Sequence, residues 1–414
     1  MKKCIIIPDS FKGTMSALEF CQIAEKTVKR HMPGCEVLTI PVADGGEGTV
    51  DCFVCALGAE KIERSVCGPW QENVSAAYCV KDGTAFIEMA QAAGLPMVGE
   101  HKNPAKTTTF GVGSLSRDAV EQGCKNIVIG LGGSCTNDAG AGAAAALGTK
   151  FYNEKGESFV PTGDTLEQIV SYDTAETERL LSGCTVTAMC DIDNPMYGAQ
   201  GAAAIFAPQK GADAACVQRL DEGLRHFAAV LRQRLGIPVD KLPGGGAAGG
   251  FGAGCAALLG GTLRSGIETV LDTVDFDRRA AGYDLVVTGE GRLDSQSLGG
   301  KAVSGVAGRC RALGVPAAAL VGALALRAHS AQASSHFWAE SSSPALRPSS
   351  SASGLTSCLR ALTWSSPARG RWTARACTAR RSSASREEPR RSMFRSRSSS
   401  APSETAQRAA MRWV

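Results

Sequence analysis

The sequence predicts an α/β protein of two domains: a discontinuous, Rossmann-like parallel-sheet domain, a second α/β domain inserted into it, and a disordered C-terminal tail. Three observations predict this. Two strand–loop–helix units open the chain, the same pattern returns near Asp284 after a long stretch without it, and hydrophobic periodicity ends after Ala325. The expected segments are 1–58 with 273–326 for the Rossmann-like domain, 59–272 for the insert and 327–414 for the tail.

Residues 3–8 (KCIIIP) read as the first strand and 9–13 as the loop at its carboxyl end. A helix over 16–31 follows, with Ser16 and Glu19 at capping-box spacing. The second strand, 36–41, ends in the polar glycine turn 42–49, and a helix runs on to Leu57. Two βα units in succession mean a parallel sheet, with ligands gathering at the carboxyl ends of its strands. From about Ala59 the pattern changes to strands at 61–67, 74–80 and 84–89, then a helix over 111–123.

Ile127, Val128 and Ile129 form a short buried strand that passes into Gly130, Gly132 and Gly133, then Ser134, Thr136, Asn137 and Asp138, and a small-residue helix over 139–147. This succession is either a phosphate-binding turn, with N–H groups and a helix N-terminus facing an anion, or simply a tight βα turn. It matches neither the P-loop nor the strict dinucleotide fingerprint. A third strand at 185–190 leads to Asp191 and Asp193, and a helix spans about 213–235. The run 243–254, with Gly249 and Gly250, reads equally as a flexible lid, a close helix crossing or a ligand cradle. The strand 284–288, the loop 289–297, a helix over about 301–313 and the strand 315–321 then complete the first sheet.

The 414 residues are 44% hydrophobic, enough for two sizeable cores. The N-terminal apolar run stops at Pro8-Asp9, too early for a secretory segment, and nothing reads as transmembrane, so the expected location is the cytosol. There the sixteen scattered cysteines stay reduced, and the Cys52/Cys55 pair reads as core rather than metal site. The net charge of +4 averages two unlike parts: from Arg327 onward there are fifteen arginines and four glutamates, leaving 29 basic and 36 acidic residues before it. The body is mildly acidic, and neither nucleic acid nor membrane is an expected partner. The tail has no Ile, Lys, Asp, Asn or Tyr, is a quarter serine and holds four of the five tryptophans. It reads as a disordered Arg/Ser segment, a basic nucleic-acid-binding arm or, our preferred hypothesis, the product of a shifted reading frame in a GC-rich gene.

Three loops at strand ends set carboxylates beside glycine: Asp44 with Glu47, Asp191 with Asp193, and Glu290 with Asp294. Lys12, Lys301 and Arg292 lie in or just after such loops. Acids for Mg²⁺, N–H groups and cations for phosphates, and a carboxylate base for a hydroxyl are what phosphoryl transfer requires. All five histidines fall outside the polar turns, and GxSxG, HExxH and paired CxxC signatures are absent.

Six ordered segments, PDSFKGTMSA (8–17), PVADGGEGT (41–49), GLGGSCTNDAGAG (130–142), CDIDNPMYGAQGAAAIFAPQKGA (190–212), GAAGGFGAG (246–254) and TGEGRLDSQSLGGKAVSGVA (288–307), resemble the motif series of the type I glycerate kinases. The resemblance covers roughly residues 1–323. It implies an ATP-dependent, Mg²⁺-requiring cytosolic kinase with a two-domain α/β architecture, phosphorylating the small molecule glycerate, usually to 2-phosphoglycerate. On this reading Gly130, Gly132, Gly133 and Ser134, with Gly249 and Gly250, hold the nucleotide's phosphates, and Asp191 and Asp193 hold Mg²⁺. Arg292, Lys12 and Lys301 are candidates for the glycerate carboxylate or the transferring phosphate. Asp44 or Asp294 orients the hydroxyl. The departure lies beyond Ala325, where the family continues with a further helix and strand that this chain does not match. That break carries an alternative: a nucleotide-binding α/β protein with impaired catalysis.

Overall fold

The computed structural model describes residues 1–236, 238–294, 301–325 and 412–413. β1 (Lys3–Pro8) is buried along nearly its whole length between two parallel neighbours, which is why its sequence is a continuous apolar run. α1 (Ala17–His31) starts at a capping box in which the Glu19 N–H donates to Ser16 Oγ (3.2 Å) and the Ser16 N–H donates to the Glu19 carboxylate (2.8 Å). β2 (Glu36–Thr39) and α2 (Thr49–Leu57) complete the second βα unit. β3 (Glu60–Cys67), β4 (Asn73–Lys81) and β5 (Thr84–Glu88) form an antiparallel meander. The short α3 (Ala90–Ala93), α4 (Phe110–Glu121), β6 (Asn126–Gly130) and α5 (Ala141–Ala146) follow. α5 begins later than its small-residue pattern because Ala139 (φ 53°) and Gly140 (φ 72°) are left-handed.

β7 (Lys150–Tyr152), β8 (Ser158–Phe159) and β9 (Ser171–Asp173) make a small antiparallel sheet. Next come α6 (Ala175–Leu180), β10 (Thr185–Met189), α7 (Ala202–Phe206) and α8 (Ala214–Leu235), the last capped by Asp213. The glycine run enters α9 (Ala247–Leu258), whose first turn carries left-handed Ala248, Gly249 and Gly250. β11 (Thr262–Arg264), α10 (Gly266–Thr273), α11 (Phe276–Ala280), β12 (Leu285–Asp294), α12 (Ala302–Leu313), β13 (Ala317–Ala325) and β14 (Arg412–Trp413) finish the described chain.

Two larger sheets organise the molecule. In the first, ordered β14-β13-β12-β1-β2, all neighbours but β14 are parallel, and strands from both ends of the chain meet, with Ile5 opposite Val286. The second is ordered β11-β10-β6-β5-β4-β3, parallel from β11 to β5. A shared core of Ile5, Ile7, Val50, Phe53, Phe86, Val128, Met189 and Ile267 joins them, with the Phe53 and Phe86 rings stacked 4.0 Å apart.

β12 is longer than its sequence pattern. Residues 289–294, expected as loop, continue the strand because β13 runs beside them, pairing Arg292 with Ala323. Gly322 permits that approach, since a Cβ there would lie 2.7 Å from the Gly291 carbonyl oxygen. The rest of that expected loop, 295–297, and the expected tail apart from β14 lie outside the described residues. Cys52 is buried and Cys55 exposed, and among the described residues no helix is long and apolar enough to cross a membrane.

Candidate active site

Three parallel strands, β1, β2 and β10, lead into aspartates, and these converge with a glutamate carried on β12. Asp9 follows β1, its N–H donating to the Gly289 carbonyl (2.8 Å) while its Oδ1 accepts the Ser10 N–H (2.6 Å). Asp44 lies in the turn after β2, Asp191 follows β10 and Glu290 is on β12. Burial, then the proximity of Asp44, pushes the Asp9 carboxyl up to about 7; Glu290 adds to the rise, and the Ser10 N–H and Lys12 oppose it. Burial likewise pushes Asp191 up to about 6, with Asp44 raising it further and the Ser265 hydroxyl, the Gly266 N–H and Lys301 pulling it back. Asp44 is therefore the neighbour shared by both perturbed carboxyls.

α10 positions Asp191. Ser265 Oγ (2.9 Å) and the Gly266 N–H (2.8 Å) both donate to Oδ1, leaving Oδ2 buried without a hydrogen-bond partner. A Cβ on Gly266 would sit 2.4 Å from the Asp44 carbonyl oxygen and 2.8 Å from Asp191 Oδ2, so glycine lets the helix start press against both loops. Arg309 of α12 ties that helix to α10 and α11, donating to Glu268 (2.6 Å), Asp272 and Asp277 (2.9 Å). This lock holds Lys301, the residue at the α12 N-terminus, on the Asp191 side of the cleft.

The expected cations and acids divide between this cluster and its rim. Lys12 is exposed within electrostatic reach of Asp9, and Arg292 is exposed on β12. Asp294 is the last residue of β12, and its side chain lies outside the described residues. Asp193 is exposed, unlike Asp191, and no group of three His, Cys, Asp or Glu side chains among the described residues has metal-ligand spacing. An all-protein metal cage does not fit these residues. A Mg²⁺ carried in on phosphates does, because such ions take only one or two carboxylates and the Asp191 Oδ2 is available.

Three of the glycines expected to cradle phosphate, Gly130, Gly132 and Gly249, pack against neighbouring backbone on the side where a Cβ would stand. A Cβ on Gly130 would lie 2.4 Å from the Gly45 carbonyl oxygen, and one on Gly132 would lie 2.5 Å from the Gly46 Cα. The Gly132 N–H donates to the Gly45 carbonyl (2.9 Å), so these glycines let the β6 loop of one sheet dock on the β2 loop of the other. Gly249 (φ 69°) faces the Thr136 carbonyl, 2.2 Å from an added Cβ, and Gly250 packs on Ala139 and Leu224. A close crossing is thus present along that run. Gly133 (φ 74°) has more room, and Ser134 Oγ accepts a hydrogen bond from the buried Lys210 (2.8 Å).

Asp9 and Lys210 are missing from the residues picked by sequence. Asp9 was findable, since it sits at the carboxyl end of the first strand as Asp44 and Asp191 sit at theirs. Lys210 gives no such signal, because lysine in a polar motif normally points to solvent.

Against known proteins, the profile of the glycerate kinase family matches residues 4–352, beyond the end of the motif series. Glycerate kinase from Bacillus cereus is 46% identical over 325 residues, covering 78% of this chain and 85% of the relative. Glycerate 2-kinase from Escherichia coli K12 is 42% identical over the same length, again covering 78% of this chain and 85% of the relative. A crystal structure of a Salmonella typhimurium LT2 protein assigned as a glycerate kinase 2 superposes with a TM-score of 0.72 at 40% identity, covering 78% of this chain and 90% of that one.

Proposed function

The chain belongs to the glycerate kinase family, and from that premise we propose that it transfers the γ-phosphoryl group of ATP to a hydroxyl of glycerate, giving 2-phosphoglycerate. The observation that carries this reading is the convergence of Asp9, Asp44 and Asp191, which follow the parallel strands β1, β2 and β10, with Glu290 of β12, and with Lys12 and Lys301 beside them. Phosphoryl transfer asks the protein for position and charge rather than covalent chemistry.

Asp9 is the base. A carboxyl that titrates near 7 holds a proton well enough to take it from the attacking hydroxyl and still ionises at neutral pH. Asp44, between Asp9 and Asp191, orients that hydroxyl and keeps the Asp9 carboxyl raised. Lys301 with the first N–H groups of α12 binds the β- and γ-phosphates, whose negative charge the helix N-terminus favours. Lys12 and Arg292, exposed at the rim, meet the anionic substrates as they enter. Mg²⁺, where bound, neutralises phosphate charge, and Asp191 Oδ2 would hold it with Asp193 as the second candidate.

The test is ADP release by the full chain with Mg-ATP, with and without D-glycerate, and phosphorus NMR of the product. Glycerate-dependent release with a 2-phosphoglycerate signal is expected. Release that ignores glycerate, or none from a folded chain, overturns the proposal, and a 3-phosphoglycerate signal overturns the choice of hydroxyl.

A further inference from the structure

A second polar cluster lies beside the acid cluster, and its chemistry is left over. Lys210 is 3% exposed, yet its ammonium has no carboxylate partner: it donates to Ser134 Oγ (2.8 Å) and to the Thr136 carbonyl (2.6 Å), both uncharged. Asp138 is near enough to be felt electrostatically but is already occupied, accepting from the Thr109 N–H (2.7 Å), Thr109 Oγ1 (2.8 Å), the Gly140 N–H (3.2 Å) and the Gly142 N–H (3.3 Å). Burial accordingly pulls the Lys210 ammonium down to about 8. Beside it, the Thr136 hydroxyl and both ends of the Asn137 amide are buried with no hydrogen-bond partner, although these side chains are only 0% and 1% exposed. A buried cation with a donor to spare and three unpartnered polar atoms on two consecutive residues is costly unless something else occupies them.

We infer that Lys210, Ser134, Thr136 and Asn137 form the pocket that recognises the small hydroxy acid, its carboxylate against Lys210 and Ser134 and its hydroxyl against the Asn137 amide. The inference rests on the kinase reading only for the identity of that acid as glycerate. The donor and acceptor inventory selects the class. Lys210, Ser134 and Thr136 can donate to a carboxylate or to a phosphate alike. Asn137 Oδ1 can only accept, so it needs a ligand that carries a donor, and a hydroxyl supplies one whereas an ionised phosphate group of a nucleotide does not. Location agrees. Gly132 is bonded to Gly45 (2.9 Å), and Ser134 lies two residues further on, at most about 7 Å along the chain, so the pocket begins within about that distance of the loop that docks on the Asp44 turn. Ser134 is thereby assigned to the acceptor substrate rather than to the nucleotide.

The test is calorimetric binding of D-glycerate, propionate, inorganic phosphate and ATP to the full chain and to Asn137→Ala. Because the Asn137 amide has no partner in the protein, its removal breaks no internal hydrogen bond, and the thermal midpoint should hold. We expect D-glycerate affinity to fall at least tenfold, propionate, which lacks hydroxyls, to change little, and ATP and phosphate to be unaffected. Lys210→Met should weaken D-glycerate and propionate together, with folding followed by circular dichroism. Unchanged D-glycerate affinity in Asn137→Ala, a loss that falls on ATP or phosphate instead, or no D-glycerate binding by the wild-type chain would each overturn the inference. Binding needs no turnover, so D-glycerate held through Asn137 by a chain that releases no ADP would sink the kinase reading and leave the pocket standing.

Discussion

Asp138 and Asp191 both follow parallel strands of the second sheet, Asp191 directly after β10 and Asp138 at the far end of the loop between β6 and α5, and each is a carboxylate largely removed from water whose carboxyl is pushed up by burial. Their surroundings differ in one respect. Asp138 spends its acceptor capacity on four donors from Thr109, Gly140 and Gly142, tying the start of α4 to the start of α5. Asp191 takes both of its donors on Oδ1 and holds Oδ2 back, with Asp44 and Lys301 as its charged neighbours. Burial and a raised pKa are common to both, so neither marks function; spare bonding capacity facing other charged groups does.

The sharpest way to break this comparison is to neutralise each member in turn. Asp191→Asn keeps the shape and removes the charge from the group with capacity to spare. Its kcat should fall by about 10²–10³-fold, the scale of losing one transition-state charge contact. Its thermal midpoint should hold or rise, because a buried charge beside Asp44 is relieved. Wild-type turnover in a folded Asp191→Asn enzyme would remove Asp191 from the site. Asp138→Ala should do the reverse. It leaves the Thr109, Gly140 and Gly142 donors buried and unpaired, a destabilisation on the order of 4 kcal/mol at about 1–3 kcal/mol per orphaned group. Urea denaturation reads that loss directly, and a stable Asp138→Ala chain that fails only in catalysis would exchange the two roles.

The same distinction explains how much could be read in advance. The parallel sheets were legible because their strands are apolar runs ending in polar turns, and Asp44 and Asp191 were legible because they sit at those ends. Glu290 is visible as a carboxylate beside glycine, but its surroundings read as a loop, since the strand under it exists only because β13 continues alongside. The glycines were ambiguous for a deeper reason. A glycine in sequence records the absence of a side chain, not what fills the gap, and at Gly130, Gly132 and Gly249 another backbone fills it. Lys210 was illegible because its burial is a tertiary outcome, set by a helical turn that lays it across the β6 loop.

The smallest expected effect is on pH-dependent stability, and it tests whether Asp9 belongs with Asp191. In the unfolded chain Asp9 titrates near the ordinary value of about 3.9, whereas in the folded protein burial and Asp44 raise it to about 7. Below about 4 both states hold the proton, and between about 4 and 7 the folded state keeps a proton that the unfolded state has released. Stability therefore falls as pH rises through that window and levels off above it. Asp191, raised in the same direction to about 6, adds a slope of the same sign that survives when Asp9 is removed. Between pH 5 and pH 8, Asp9→Asn should accordingly lose less of its thermal midpoint than the wild type, by about 2–4 °C for each kcal/mol of difference. Parallel melting curves for the two proteins across that range would mean that Asp9 is already ionised in the folded state. The base would then have to be sought in Asp44, the carboxylate that both perturbed groups share as a neighbour.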